Sequence, residues 1–433
     1  MENVGKKALI TRALYGGKCA GRDLWHHLQS CMEFLGFKSS RADPDVWMRE
    51  SVRTDGFTKY YEYVLLYTDD CLVISDRAET LLRNEIGKYF ELKESSIGPP
   101  TKYLGGKLRE VELENGQKCW AFGSKQYVEA AVQNVVDYLK KREKSLIAKA
   151  PTPMSCGYRP EIDVTPELGP EDAAYYHSLI GVLRWIVELG RVDINVEASM
   201  LSSHLVLPRE GHLQELFHVF AYLKKHMNSE MVFDPSEPEI DLNAFPKQDW
   251  SYSIYSSPGE EAKELLPPNM PAPLGKGFTI RCFVDADHAG ELVTRRSRTG
   301  YVVMLNNAPI YWHTKKMASI ETSTFGSEFM AMKQATEYVR GLRYKLRMFG
   351  IPVDGPAFIF GDNQSVLCNT SMPESTLKKK AQSIAYHFVR EGCAADEWRT
   401  SYVHTSLNLA DLMTKPLSGE KRWGFVRMLL HHI

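Results

Sequence analysis

Between Val64 and Ser75 the chain reads VLLYTDDCLVIS, two short apolar runs around a pair of carboxylates. Residues 64–67 and 71–74 have the length and composition of buried strands, which predicts a hairpin with Asp69 and Asp70 at its tip. Adjacent carboxylates beside buried strands repel each other and lose hydration unless a cation neutralises them. The pair is therefore a candidate metal site, whereas the same pair in an exposed turn carries no function. Upstream, Leu24, Leu28, Met32 and Leu35 recur at helical spacing over 18–36, and strands are predicted over 43–48 and 60–66. Downstream, Asp76 is placed to cap a helix reaching about residue 89, with Leu81, Leu82, Ile86 and Tyr89 on one face. A break at 97–100 precedes a strand over 103–111, an Asn115-Gly116 turn and a returning strand over 119–122. Val128, Val132, Val135 and Leu139 then mark another helix.

From 150 to 170 the composition shifts to Pro, Gly and acidic residues, as in a connector. Three helical stretches follow over 173–189, 193–205 and 209–227. The irregular segment 234–277 ends in LLPPNMPAPLGKG, whose prolines deny it helix or central strand and mark the main domain boundary. Beyond it the pattern predicts strands over 279–285, 300–305 and 309–313, then a helix over 327–348. A strand over 357–360, a short helix, a helix over 377–394, a strand over 399–404 and a last helix complete the order. This is the order of an α/β domain with a mixed five-stranded sheet. The expected divisions are 1–149, a helical region 150–265, a linker 266–277 and the α/β domain 278–433.

At 433 residues, with 43% hydrophobic and 25% charged, the chain can fill two or three ordinary globular cores. Its 53 Lys and Arg nearly cancel its 54 Asp and Glu, so only local basic patches could favour nucleic acid. The eight cysteines include no C-x-x-C pair, which argues against a zinc site or disulfide framework. With no apolar leader and no run of membrane-spanning length, an intracellular protein of cytoplasm or nucleus, without a membrane partner, is predicted.

Four carboxylates of the α/β region stand where chemistry would want them: Asp285 in FVDADHAG, Glu328 in TFGSEFMAM, Asp362 in IFGDNQS and Asp411 in NLADLMTK. Singly, Asp362 could cap a helix, Glu328 favour a first turn and Asp411 face solvent. Together, strand ends and helix starts of one sheet would bring them to one edge, where they would raise one another's pKa values. Two Mg²⁺ (or Mn²⁺) ions about 4 Å apart relieve such a cluster, activate water and stabilise the leaving oxygen of a phosphodiester. The predicted chemistry is that of a nuclease.

The order of these four acids resembles the D-E-D-D set of the ribonuclease H fold. More closely, DADHAG, RRSRTGY, GSEFMA, GDNQS and ADLMTKPL resemble the ribonuclease H domain of Ty1/copia retrotransposon polyproteins. RALYGGKCAG, LLYTDD, YLGGKLREV and SLIGVLRWIVELGRVDI resemble the C-terminal part of that family's reverse transcriptase. The resemblance spans essentially the whole chain. It implies an α+β palm-like part with a helical connection, then a ribonuclease H-like domain that cuts the RNA strand of RNA–DNA hybrids. It also implies that Asp69 and Asp70 hold polymerase metals, that Tyr103 and Gly105 lie near a primer, and that Tyr15, Gly16 and Lys18 lie near an RNA template. In the nuclease, it makes Asp285, Glu328, Asp362 and Asp411 the metal ligands.

Cys19 stands where many members of that family have Gln. A palm polymerase needs a third carboxylate well upstream, and MENVGKKALIT before Arg12 has no aspartate, so a truncated polymerase is expected, not competent alone. His404, before the last aspartate, is a candidate auxiliary to product release or a plain strand-end residue. His288, His313 and His387 are expected to be structural. Lys378, Lys379 and Lys380, and likewise Arg295, Arg296 and Arg298, are candidate phosphate contacts or solvated charges. Two other functions fit the same chain: a non-catalytic relic that holds nucleic acid, and part of a longer RNA-directed DNA polymerase using RNA template and DNA primer.

Overall fold

The computed structural model describes residues 17–67, 70–257, 259–260, 262–376 and 382–431. The chain forms two compact units, one of residues 1–100, 267–277 and 344–352, the other of 101–266, 278–343 and 353–433.

In the first unit, α1 (Ala20–Phe34) precedes an antiparallel sheet of β1 (Lys38–Ser39), β2 (Val46–Val52), β3 (Lys59–Tyr67) and β4 (Asp70–Ile74), paired in chain order. Gly36, at φ +82°, turns the chain after α1 in a conformation that a side chain would strain. Met32, Phe37, Trp47, Val64, Leu81 and Ile86 form the core. The proline-rich 267–277 belongs to this unit, where Ala272 O accepts the Tyr61 hydroxyl at 3.0 Å. The helix expected to about residue 89 is only an α-turn over Ala78–Thr80, then a π-turn over Leu81–Glu85 and a 3₁₀ turn over Ile86–Lys88. Leu81 and Ile86 are both buried, and five residues span more than one α-turn, so the helix widens to point both inward. Asp76 does not cap it but pairs with Arg53 at 3.0 Å.

Glu62 of β3 is fully buried in that unit. Arg49 meets one of its oxygens at 2.7 Å and Arg77 the other at 2.8 Å. Burial alone would raise this carboxyl, but hydrogen bonds from Arg77, Arg49 and Ser75 outweigh it and hold the group below the ordinary range.

The second unit opens with β5 (Lys102–Tyr103), β6 (Gly106–Glu112) and β7 (Lys118–Gly123), to which β8 (Glu230–Phe233) adds an edge. The single strand expected over 103–111 is interrupted at Leu104 and Gly105, whose φ values of +49° and +86° make a two-residue hairpin turn. Helices α2 (Lys125–Lys140), α3 (Pro170–Glu188), α4 (Asn195–Leu201) and α5 (Glu210–Lys225) bury a shared core that includes Val135, Leu183, Val196 and Phe220. Pro170 opens α3, followed by Glu171 and Asp172 in its first turn, a favourable start for a helix.

The rest of this unit is a mixed five-stranded sheet, as the sequence predicts. Strands β9 (Ile280–Asp287), β10 (Arg298–Leu305) and β11 (Ala308–Lys316) are antiparallel, and β12 (Ala357–Gly361) lies parallel to both β9 and β13 (Trp398–Tyr402). The order is β11-β10-β9-β12-β13. Nearly every residue of β9 and β10 is buried, because both faces of the central strands are covered. The helices are α6 (Thr324–Met348), α7 (Gln364–Ser371), α8 (Ser383–Ala394), the single turn α9 (Asp411–Thr414) and α10 (Gly419–Leu429). No described helix is long and apolar enough to cross a membrane.

Candidate active site

Parallel pairing of β12 beside β9 brings two carboxylates to one end of the sheet. Asp285 is the sixth residue of β9, and Asp362 directly follows β12. Glu328 is the fifth residue of α6. One carboxylate oxygen from each of Asp285, Glu328 and Asp362 lies within 4.8 Å of the others. Asp285 is 3% exposed and Glu328 9%. Thr324, Asn363, Gln364 and Tyr402 join Glu328 and Asp362 around an open cleft.

The electrostatics follow from this crowding. Burial, then the charges of Asp285 and Asp362, push the Glu328 carboxyl up to about 9. Burial, with Asp411 and Asp362, pushes Asp285 up to about 7 against the pull of Lys415 and a hydrogen bond from Thr414. Asp287, two residues on, is likewise raised, chiefly by burial. A cation in the middle would remove this conflict, and the three carboxylate oxygens could hold a metal ion.

Asp411 is close by but outside that triad. It is fully buried, with one oxygen 2.9 Å from the Lys415 ammonium and the other bound by Lys421. Lys415 also reaches Asp285 at 3.7 Å, and the Thr414 hydroxyl donates to the same Asp285 oxygen. The approach of α9 depends on Gly300, which pairs with Asp285 in the β9–β10 ladder. A Cβ at Gly300 would stand 2.6 Å from the Thr414 side chain and 2.7 Å from that of Met413. Buried Asn408 fastens the preceding loop by donating to Val284 O at 2.9 Å.

Of the other candidate residues, Asp70 is an exposed first residue of β4, opposite Tyr67. Lys18 is exposed ahead of α1, Tyr103 ends β5, and Gly105 is in the turn after it. Arg295 is exposed in the loop between β9 and β10, and Arg296 is half-buried there. His404 is exposed in the loop after β13, bonded to Ser406 at 2.7 Å, and its neighbour Thr405 donates to Asp362 at 2.9 Å. His288 bonds Ser327 at 3.2 Å, His387 bonds Tyr255 at 2.7 Å, and His313 stacks on Tyr301. Asp69, Tyr15, Gly16, Lys378, Lys379 and Lys380 lie outside the described residues.

The sequence reading missed Thr414, Lys415, Lys421, Asn408 and Asp287. Asp285 and Asp287 have the i, i+2 spacing of one strand face, and Asp411 and Lys415 the i, i+4 spacing of a helix pair. Nothing in the sequence pattern shows that Lys421 would reach the same carboxylate.

No protein-family model matches the chain. It is 24% identical over 409 residues to the retrovirus-related Pol polyprotein from transposon RE1 of Arabidopsis thaliana, covering 94% of this chain and 24% of that protein. With the Pol polyprotein from transposon TNT 1-94 of Nicotiana tabacum it shares 22% over 425 residues, covering 97% of this chain and 28% of that protein. The chain thus spans about a quarter of the length of these curated relatives. A solved N-terminal RNase H domain from Mycobacterium tuberculosis, fused to maltose binding protein, matches at 13% identity and a TM-score of 0.24. That match covers 32% of this chain and 91% of that one.

Proposed function

Starting from a chain whose homologues are retrovirus-related Pol polyproteins of copia-type transposons, we propose that its ribonuclease H-like region, 278–433, hydrolyses the RNA strand of RNA–DNA hybrids. The observation that carries this reading is the convergence of Asp285, Glu328 and Asp362 at one sheet end, beside an open cleft. A bound Mg²⁺ or Mn²⁺ supplies an activated water and neutralises charge on the phosphate. The three carboxylates would hold that ion, each fixed by a different element. Thr414 orients Asp285 and Thr405 orients Asp362 through their hydroxyl hydrogen bonds. In the reaction a water oxygen bonds to phosphorus, a P–O bond of the RNA strand breaks, and the departing oxygen takes a proton. Residues 1–149, with Asp70 on the β3–β4 hairpin, are the reverse-transcriptase-derived part in this reading, and no DNA synthesis is assigned to them alone.

Incubating the purified chain with a labelled RNA–DNA hybrid and Mg²⁺ or Mn²⁺ tests the reading. Metal-dependent cutting of the RNA strand, lost in Asp362→Asn, is expected. An intact hybrid at every metal concentration would sink it, and a hybrid bound but uncut would leave a nucleic-acid-binding relic.

A further inference from the structure

The fourth carboxylate raises a question of charge. Asp285, Glu328, Asp362 and Asp411 carry four formal negative charges, and Lys415 and Lys421 bring two positive ones. The difference is two negative charges, which a single divalent ion balances. Geometry points the same way. A second ion shared by Asp285 and Asp411 would need one oxygen from each. The Lys415 ammonium already bridges such a pair, 2.9 Å from Asp411 Oδ1 and 3.7 Å from Asp285 Oδ2.

Both lysines are held in place by neighbours rather than by chance contact. Pro416 follows Lys415 and favours an extended backbone there, and Lys415 is at φ −146° and ψ 146°. Lys421 is followed on α10 by Arg422, a fully buried side chain. Arg422 stands 3.3 Å from Glu197 of α4 and donates to Asp193 O. Asp193 in turn is paired with buried Arg191 at 2.7 Å, so α10 is anchored to the helical part of the same unit. The remaining acid, Asp287, lines a small cavity with Glu161 and Glu291, where these three carboxylates face Arg159, Arg296, Arg298 and Lys316.

We propose that Lys415 takes the place of a second divalent ion, so that the Asp285–Glu328–Asp362 triad holds one ion and Asp411 serves to position the lysine. On the nuclease reading, on which this part rests, the ammonium stands beside the reacting phosphate and offsets charge that builds on it. Lys415 and Asp411 are then positioning and electrostatic residues, and the three triad carboxylates the metal ligands.

Counting Mn²⁺ on the full chain without nucleic acid, by the loss of its free-ion paramagnetic resonance signal, tests this independently of cleavage. The wild type is expected to take one ion per chain, and Asp362→Asn to bind it at least tenfold more weakly. Lys415→Met, a change at a partly exposed side chain, should take two ions, and Lys415→Gln provides the same count should the first variant fold poorly. A wild type that takes two ions, or none, would overturn the proposal, as would lysine variants that still take one. If the count holds while hybrids stay uncut, the nuclease reading falls and the single-ion site stands.

Discussion

Glu62 and Glu328 are both buried glutamates, yet their surroundings push them in opposite directions. Glu62 faces two guanidinium groups and a hydroxyl, and is held below the ordinary carboxylate range. Glu328 faces Asp285 and Asp362 and is pushed up to about 9. Burial is common to both, so burial alone does not mark a metal site. What differs is the supply of positive charge by the fold itself: complete at Glu62, deficient at Glu328. A carboxylate cluster left in deficit is neutralised either by retained protons or by a cation from solution.

The largest effect that separates the two is catalytic. Asp362→Asn should lower hybrid cleavage by about a thousandfold, roughly 4 kcal/mol of barrier, while leaving the melting temperature nearly unchanged. Glu62→Gln should do the reverse. Removing one partner of a buried ion pair costs about 3–5 kcal/mol, and the lower end is expected because Arg49 and Arg77 keep Glu85 at 2.9 and 2.8 Å. Urea unfolding of both variants checks this, and a Glu62→Gln protein as stable as wild type would break the comparison. Next in size is Gly300→Ala, whose added methyl runs into Thr414 and Met413. Overpacking of this kind costs about 1–3 kcal/mol, and because the same contact brings α9 to Asp285, weaker Mn²⁺ binding should accompany it. Stability lost without any change in Mn²⁺ binding would show that α9 does not shape the site.

Local patterns carried much of this architecture. The apolar runs around Asp285 and before Asp362 are long enough to read as central strands, and the mixed five-stranded sheet follows from their order. Once those strands lie side by side, acids at their ends must meet. Features set by distant partners were not legible. The π-turn at Leu81–Glu85 answers to where Leu81 and Ile86 must point, which a helical wheel does not show. Gly300 reads as an ordinary strand glycine until α9 is seen against it. Lys421 looks like a surface charge on an amphipathic helix, and only the anchoring of Arg422 brings it to Asp411.

Charge deficit also has a signature in pH. Asp285 and Glu328 are raised to about 7 and about 9 in the folded chain, from ordinary values of 3.8 and 4.5. Between those limits the folded state keeps protons that the unfolded state releases. Their contribution to stability is therefore full below about pH 4 and is lost as pH rises through about 7 to 9. Each such group contributes at most about 1.4 kcal/mol per pH unit to the slope. Glu62, lowered on folding, has the opposite sign: its contribution is present above its ordinary value and lost in acid. Melting metal-free protein across pH 5–9 should show the decline, Glu328→Gln should flatten it, and Mn²⁺ should remove most of it. A Glu328→Gln profile parallel to wild type would mean the cluster is not in deficit.

The smallest expected effect is at Asp70, where the chain offers neither burial nor a crowd of acids. Its carboxylate is exposed at the start of β4, and among the described residues it belongs to no cluster able to hold a metal. An exposed carboxylate keeps its hydration and is not driven toward a cation, so Asp70→Asn should change unfolding free energy by under about 0.5 kcal/mol. The Mn²⁺ count should also stay as in the wild type. Either a loss above about 1 kcal/mol or a lower count in Asp70→Asn would show that the hairpin recruits an ion without buried charge in deficit. That result would detach metal binding from the contrast between Glu62 and Glu328.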